Sequence, residues 1–146
     1  MPTVSLVTLG VADLERSTVF YAALGWQRSP VSVEGTVAFM QGSTIVLSLY
    51  GRDDLAADAG VAMPVTGHAA PISLAVNVSS EADVDAALAT AASAGGRVVR
   101  SAYPTEWGGY IGYVADPDGH LWEFAHNPGF GLLDDGRVVL PDGEAG

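Results

Sequence analysis

One pattern occurs twice in this chain, and that repetition limits the folds open to it more than any other feature. Residues 4–11 (VSLVTLGV) are a short apolar run rich in β-branched side chains and predict a strand. Asp13 is placed to cap a helix carrying Leu14, Phe20, Tyr21 and Leu24 near helical spacing, and Gly25 stops it. Residues 26–33 read as extended, and 36–40 with 44–50 read as a hairpin around Gln41-Gly42. The second pass starts at 72–78 (ISLAVNV), again a strand. Ser80 with Asp83 resembles a capping box, and Val84, Ala87, Leu88 and Ala91 form a helical apolar stripe that Gly95-Gly96 ends. Residues 97–101, 109–115 and 120–126 predict three strands, the last two joined by Asp116-Pro117-Asp118-Gly119. In that turn proline presets its own φ, and Gly119 supplies a backbone angle that other residues resist. Each half is therefore β-α-β-β-β. Val78 stands 67 residues after Val11, and Gly95 stands 70 after Gly25, which leaves a three-residue insertion at the second helix start. Units of about 70 residues hold few core side chains each, so the two halves are expected to fold as one domain.

The repeats divide the chain of 146 residues. A single domain spans 1–128, with module one at 3–50, a linker at 51–70 and module two at 71–128. The linker carries Asp53, Asp54, Asp58, Gly60, Pro64 and Gly67, and at most its first part suits a helical turn. A tail follows at 129–146, in which 137–140 predicts an edge strand or a partner contact.

Hydrophobic residues make up 49% and charged residues 16%, a globular composition. The net charge is −11, with all six basic residues arginine. Such a chain lacks the basic footprint of a nucleic-acid binder. The acidity serves solubility first, and it also suits a cationic small molecule. The absence of cysteine excludes disulfides, thiolate metal sites and cysteine nucleophiles. The opening MPTVSLVTLG has neither a basic n-region nor a long apolar h-region, so no signal peptide is expected. No run nears the roughly 18 apolar residues of a membrane span. A cytoplasmic protein without membrane contact is the expectation.

Two motifs carry a family resemblance. V-A-D-L-E-R-S-x-x-F-Y-x-x-L-G-W covers residues 11–26, and D-P-D-G-H-L-W-E covers 116–123. In this order, within paired β-α-β-β-β units, they resemble the vicinal oxygen chelate superfamily, the group of glyoxalase I, bleomycin resistance proteins and extradiol dioxygenases. The resemblance spans about residues 3–128. It implies an α+β fold in which two tandem βαβββ modules form curled mixed sheets around a cup, and it implies a homodimer. Metal-binding members carry ligands on the first and last strand of each module, where Mn, Fe, Ni or Zn chelates neighbouring substrate oxygens.

Carried over position by position, the ligand pattern is broken. The first-strand position of module one falls near Leu6, and the last-strand position falls on Val46 or Ser48, a register left open. Module two offers Ser73 and Glu123. Leucine and valine cannot ligate, serine ligates feebly, and Glu123 alone matches. The three histidines do not compensate. His68 lies in the linker, and His120 and His126 are each three residues from Glu123, on the opposite strand face. His120 is better suited to order the turn or reach a backbone group. No metal cofactor is expected on this reading; a divalent metal is the alternative.

Strand alternation turns Trp122, Phe124 and His126 toward the helices and turns Glu123 into the expected cup. A carboxylate in such a place costs free energy unless it is hydrogen-bonded or protonated, which makes Glu123 the candidate catalytic residue. Pairing with an arginine, or with backbone donors at the rim, is its purely structural alternative. Trp107 and Tyr110 flank Gly108-Gly109 just before a strand and suit a loop leaning over a cavity. The candidate binding set is thus Leu6, Ser48, Ser73, Trp107, Tyr110 and Glu123. Three functions fit it: a metal-independent binding or sequestering protein for an antibiotic or metabolite; a metal-dependent glyoxalase-like lyase, isomerase or dioxygenase; and a metal-free enzyme with Glu123 as general base.

Overall fold

Both helix starts are fixed locally. The Asp13 carboxylate accepts the Arg16 backbone N–H at 3.0 Å, and Ser80 Oγ accepts that of Asp83 at 3.1 Å. The computed structural model describes residues 3–62 and 72–141. In module one, β1 (Leu6–Val11), α1 (Leu14–Ala23), β2 (Gln27–Arg28), β3 (Val37–Gln41) and β4 (Val46–Gly51) form a sheet in the order β1-β4-β3-β2. After α2 (Arg52–Ala59), module two repeats the plan with β5 (Ser73–Asn77), α3 (Glu81–Ser93), β6 (Arg97–Pro104), β7 (Tyr110–Ala115) and β8 (Leu121–His126). Its order is β5-β8-β7-β6, and in both sheets the first strand pairs parallel with the last.

Each sheet has an inner face toward the helices and an outer face away from them. Leu9, Val11, Met40, Leu47 and Leu49 from one sheet, and Val114, Trp122 and Phe124 from the other, join Phe20, Tyr21, Val84, Leu88 and Ala91 of the helices in a single core cluster. Tyr21, Phe20, Met40, Leu47 and Leu49 lose essentially all exposure. Full burial of such a side chain stabilises by about 1.5–3 kcal/mol. Side chains of both modules thus share one core.

The DPDG turn ties the modules together. Asp116 is 4% exposed, and its carboxylate accepts the Tyr21 hydroxyl at 2.6 Å and the backbone N–H groups of Asp118 and His120 at 2.9 and 2.8 Å. Trp122 Nε1 donates to the same Tyr21 oxygen at 3.1 Å. Asp118 reaches module one directly, accepting from Ala12 N–H at 2.8 Å, Ser17 Oγ at 3.0 Å and Arg16 at 3.2 Å. His120 Nε2 donates to the Gly10 carbonyl at 2.9 Å, the backbone role expected of it. Gly119 closes the turn at φ 89°, in the left-handed region.

Three expectations need correction. The linker opens not with a mere turn but with the eight-residue helix α2, capped by Gly60 at φ 69°. The strand expected at 97–101 runs on to Pro104 because β7 offers a partner for its full length. The tail run does not extend a main sheet: β9 (Gly131–Leu132) and β10 (Val138–Val139) pair only with each other. The fold class is the expected one, two tandem βαβββ modules in two four-stranded mixed sheets, and the two sheets do not join. β1 and β5 are both edges, so the expected cup is not closed within one chain. Among the described residues, no helix is long and apolar enough to cross a membrane.

Candidate functional site

The β7–β8 hairpin fixes the register around Glu123. Ala115 pairs with Leu121, so Tyr113 falls opposite Glu123 and Val114 opposite Trp122. Trp122 and Phe124 are buried inside, which leaves Leu121, Glu123 and Ala125 on the outer face with Tyr113 and Ile111. The Tyr113 hydroxyl donates to Glu123 Oε2 at 3.2 Å. Burial first, then the neighbouring Glu123 charge, raise the Tyr113 pKa, so this phenol stays protonated and keeps its donor. A half-buried carboxylate is thereby satisfied by a side-chain hydroxyl, not by the arginine or rim backbone considered above.

β6 extends the same row. Its pairing with β7 shifts between Val98 and Arg100 and again between Arg100 and Tyr103. In a regular strand, residues three apart point to opposite faces. Here Arg100 pairs with Tyr113 and Tyr103 with Ile111, so the second irregularity brings both to the outer face. The Arg100 guanidinium lies 3.6 Å from the Tyr103 ring centroid. Among the described residues Arg100 has no carboxylate partner; the ion pairs are Arg16–Asp118 and Arg137–Asp135. The resulting row is Arg100, Tyr113, Glu123 and Ala75, across four strands.

Not every predicted residue joins this row. Ser73 pairs with Leu121, diagonal to Glu123 on the same outer face, and it is exposed. Leu6 pairs with Val46, and Ser48 pairs with Thr8, so Ser48 is diagonal to Leu6 as Glu123 is to Ser73. This resolves the open register in favour of Ser48 as the counterpart of Glu123, though Ser48 is only 6% exposed. Tyr110 is not brought to Glu123. It pairs with His126 on the inner face, and its hydroxyl donates to Asp85 of α3 at 2.7 Å. Trp107 is 62% exposed and folds back on its own loop, where a Cβ at Gly109 would overlap its ring. That loop ends three rows from Glu123. His68 lies outside the described residues. Tyr113, Arg100 and Tyr103 went unnoticed in the sequence. Alternation in GYIGYVA back from the turn could have found Tyr113; nothing in the sequence announces the irregularities that place the other two.

A family match settles what this architecture is. The glyoxalase/bleomycin resistance protein/dioxygenase superfamily matches residues 3–124. The chain belongs to that superfamily. A glyoxalase-related enzyme from Fulvimarina pelagi is 39% identical, with 96% of this chain and 99% of that one covered at a TM-score of 0.84. A glyoxalase/bleomycin resistance protein/dioxygenase from Nocardioides is 24% identical, covering 100% and 89% of the two chains at 0.69. A lactoylglutathione lyase from Agrobacterium tumefaciens is 20% identical, covering 86% and 93% at 0.66, and shares the fold. No curated protein matches the chain.

The superfamily's divalent metal can be tested against the donors present. The four positions hold Leu6, Ser48, Ser73 and Glu123: an apolar side chain, two hydroxyls and one carboxylate. Among the described residues, no three His, Asp or Glu side chains come together in a way that could hold an ion. This set does not fit a catalytic divalent metal.

A separate cleft of about 830 Å3 lies between the modules on the inner side. Val7, Trp26, Leu74, Val76, Trp122 and Phe124 line it, and Arg137 and Val138 of the tail stand at its border. It does not include Glu123, and its polar lining is Ser43, Thr44, Asn77, Thr90 and Arg137, with no carboxylate. The outer face of module two has less enclosure but better-placed chemistry: an acceptor, a held donor and a cation in one row.

Proposed function

We propose that the protein binds a small organic molecule, without a metal, on the outer face of module two, and that a second copy of the chain completes the cup. The observation carrying this is the Tyr113–Glu123 hydrogen bond, set in a row whose outer members Arg100 and Ala75 are exposed. β1 and β5 support the dimer. They are bare sheet edges, and Val4, Leu6 and Ile72 beside them are 69, 43 and 63% exposed. Sequestering an antibiotic or metabolite is the simplest activity for such a site.

A metal-free enzyme is the second reading, favoured by the name of the 39% identical relative, a glyoxalase-related enzyme. Glu123 would then take a proton from carbon beside a carbonyl, with the Tyr113 hydroxyl as a neighbouring donor. A metal-dependent lyase or dioxygenase needs ligands that the donor set lacks.

The test begins with elemental analysis of protein purified without chelator; stoichiometric Mn, Fe, Ni or Zn would overturn the metal-free proposals. Thermal-shift screening against α-keto aldehydes, catechols and cationic antibiotics then finds a ligand, since binding to the folded state raises its melting temperature. Glu123→Gln is expected to weaken that ligand about tenfold or more. Unchanged affinity together with unchanged turnover, or with no turnover to lose, would remove Glu123 from the site. Retained binding with lost turnover would favour the enzyme.

A further inference from the structure

We infer that the ligand of this face is dipolar and aromatic: a planar ring carrying a carboxylate at one end and an ammonium at the other. The inference rests on the reading of module two's outer face as the binding surface. Arg100, Tyr113 and Glu123 occupy one cross-strand row on three neighbouring strands. Arg100 and Glu123 are therefore two strand spacings apart, about 10 Å between backbones. Both side chains are long enough to narrow that gap to the length of a substituted benzene ring.

The three groups are not interchangeable. The guanidinium stacks on Tyr103 and lacks a carboxylate partner among the described residues, so its planar fork is free to take a carboxylate in two hydrogen bonds. Stacking also fixes its orientation before the ligand arrives, which lowers the entropy cost of binding. Glu123 accepts one hydrogen bond from Tyr113 and has acceptor capacity left for an ammonium. Tyr113 lies between them, and its ring offers a flat surface for the middle of the ligand. Arg100 and Glu123 do not neutralise each other, because the Tyr113 strand separates them. A purely cationic ligand would leave Arg100 unused and repelled, and a purely anionic one would do the same to Glu123. A ligand charged at both ends satisfies the row.

The test is a 15N-resolved NMR titration of the full chain with 4-(aminomethyl)benzoate, set beside benzoate and benzylamine as its two halves. The zwitterion is expected to bind about tenfold or more tightly than either half and to shift Tyr113 and Glu123 resonances. Arg100→Gln is expected to reduce the zwitterion to the affinity of benzylamine, and Glu123→Gln to reduce it to that of benzoate, each about a tenfold to hundredfold loss. Arg100→Lys, which keeps charge but loses the fork, falls between. Arg100 is exposed, and the ligand-free spectrum of each variant reports its fold directly. If benzylamine binds as tightly as the zwitterion, and Arg100→Gln changes nothing while Glu123→Gln abolishes both, the dipolar assignment fails and the binding face stands. If no probe shifts these resonances at millimolar concentration, both the assignment and the binding face fail.

Discussion

Glu123 and Asp116 sit seven residues apart and have opposite uses. Asp116 is buried and saturated by three donors, one of them the Tyr21 hydroxyl. Glu123 has one side-chain donor and an open side. The D-P-D-G-H-L-W-E motif is therefore mostly structural, with Asp116, Asp118, His120 and Trp122 all bound to module one. Burial first, then the nearby Asp116 charge, push the Tyr21 pKa far above its ordinary 10.0. The folded state thus holds the Tyr21 proton more tightly than the unfolded chain does. That stabilisation is complete below pH 10 and is lost as pH rises beyond it. Tyr21→Phe removes the donor to Asp116 Oδ2 and the acceptor of the Trp122 N–H, while Asp116 Oδ1 keeps its two backbone donors, and we expect about 2–4 kcal/mol less stability at neutral pH by denaturant unfolding. The decline above pH 10 should also be shallower in the variant. An equal decline in both proteins would assign alkaline loss to other tyrosines. At this scale the sequence was legible for Glu123, whose face follows from alternation with Trp122 and Phe124. It was misleading for Tyr110, because two glycines before a strand do not say which face the next side chain takes.

Two elements shape what the outer faces offer. β6 carries the irregular pairing that puts Arg100 and Tyr103 side by side, and alternation alone would have separated them. α2 lies on the outer face of module one. A Cβ at Gly10 would come within 3.3 Å of the Arg52 Cα and the Leu55 side chain, and Tyr50 donates to Asp58 at 3.0 Å. One end of that face is thus occupied by the chain's own helix, while among the described residues no helix follows the corresponding strands of module two. Gly10→Val should push α2 off its seat. Hydrogen exchange is expected to show opening of residues 52–60 made easier by about 1–3 kcal/mol, with the core strands unchanged. Uniform destabilisation would instead mean that α2 is part of the main cooperative unit. The sequence marked 51–70 as a linker on its three aspartates with Gly60, Pro64 and Gly67; Leu55 alone on its seat is a weak signal.

The whole molecule is two repeats on one core, with the proposed binding face turned away from it. The bare edges β1 and β5 are where a second copy would extend both sheets. Ile72→Asp places a charge on one such edge, where the wild-type side chain is already 63% exposed, so folding should be spared. Sedimentation velocity is expected to show a dimer for the wild-type chain and a monomer for the variant. A wild-type monomer at high concentration would leave the cup half-built and end the shared-site proposal.

The sequence by itself determined the duplicated βαβββ plan, both helix caps, the hairpin before Glu123 and the face on which Glu123 lies. All of these are local, since periods of 2.0 and 3.6, cap residues and turn residues act over a few positions. Tertiary structure decided the rest. It joined Asp116 to Tyr21 and Asp118 to Ala12 across some hundred residues of chain. It chose Ser48 over Val46 through strand register, and through irregular pairing it brought Arg100 into line with Glu123. Such choices depend on which strands meet and in what register, and that is settled by packing the shared core.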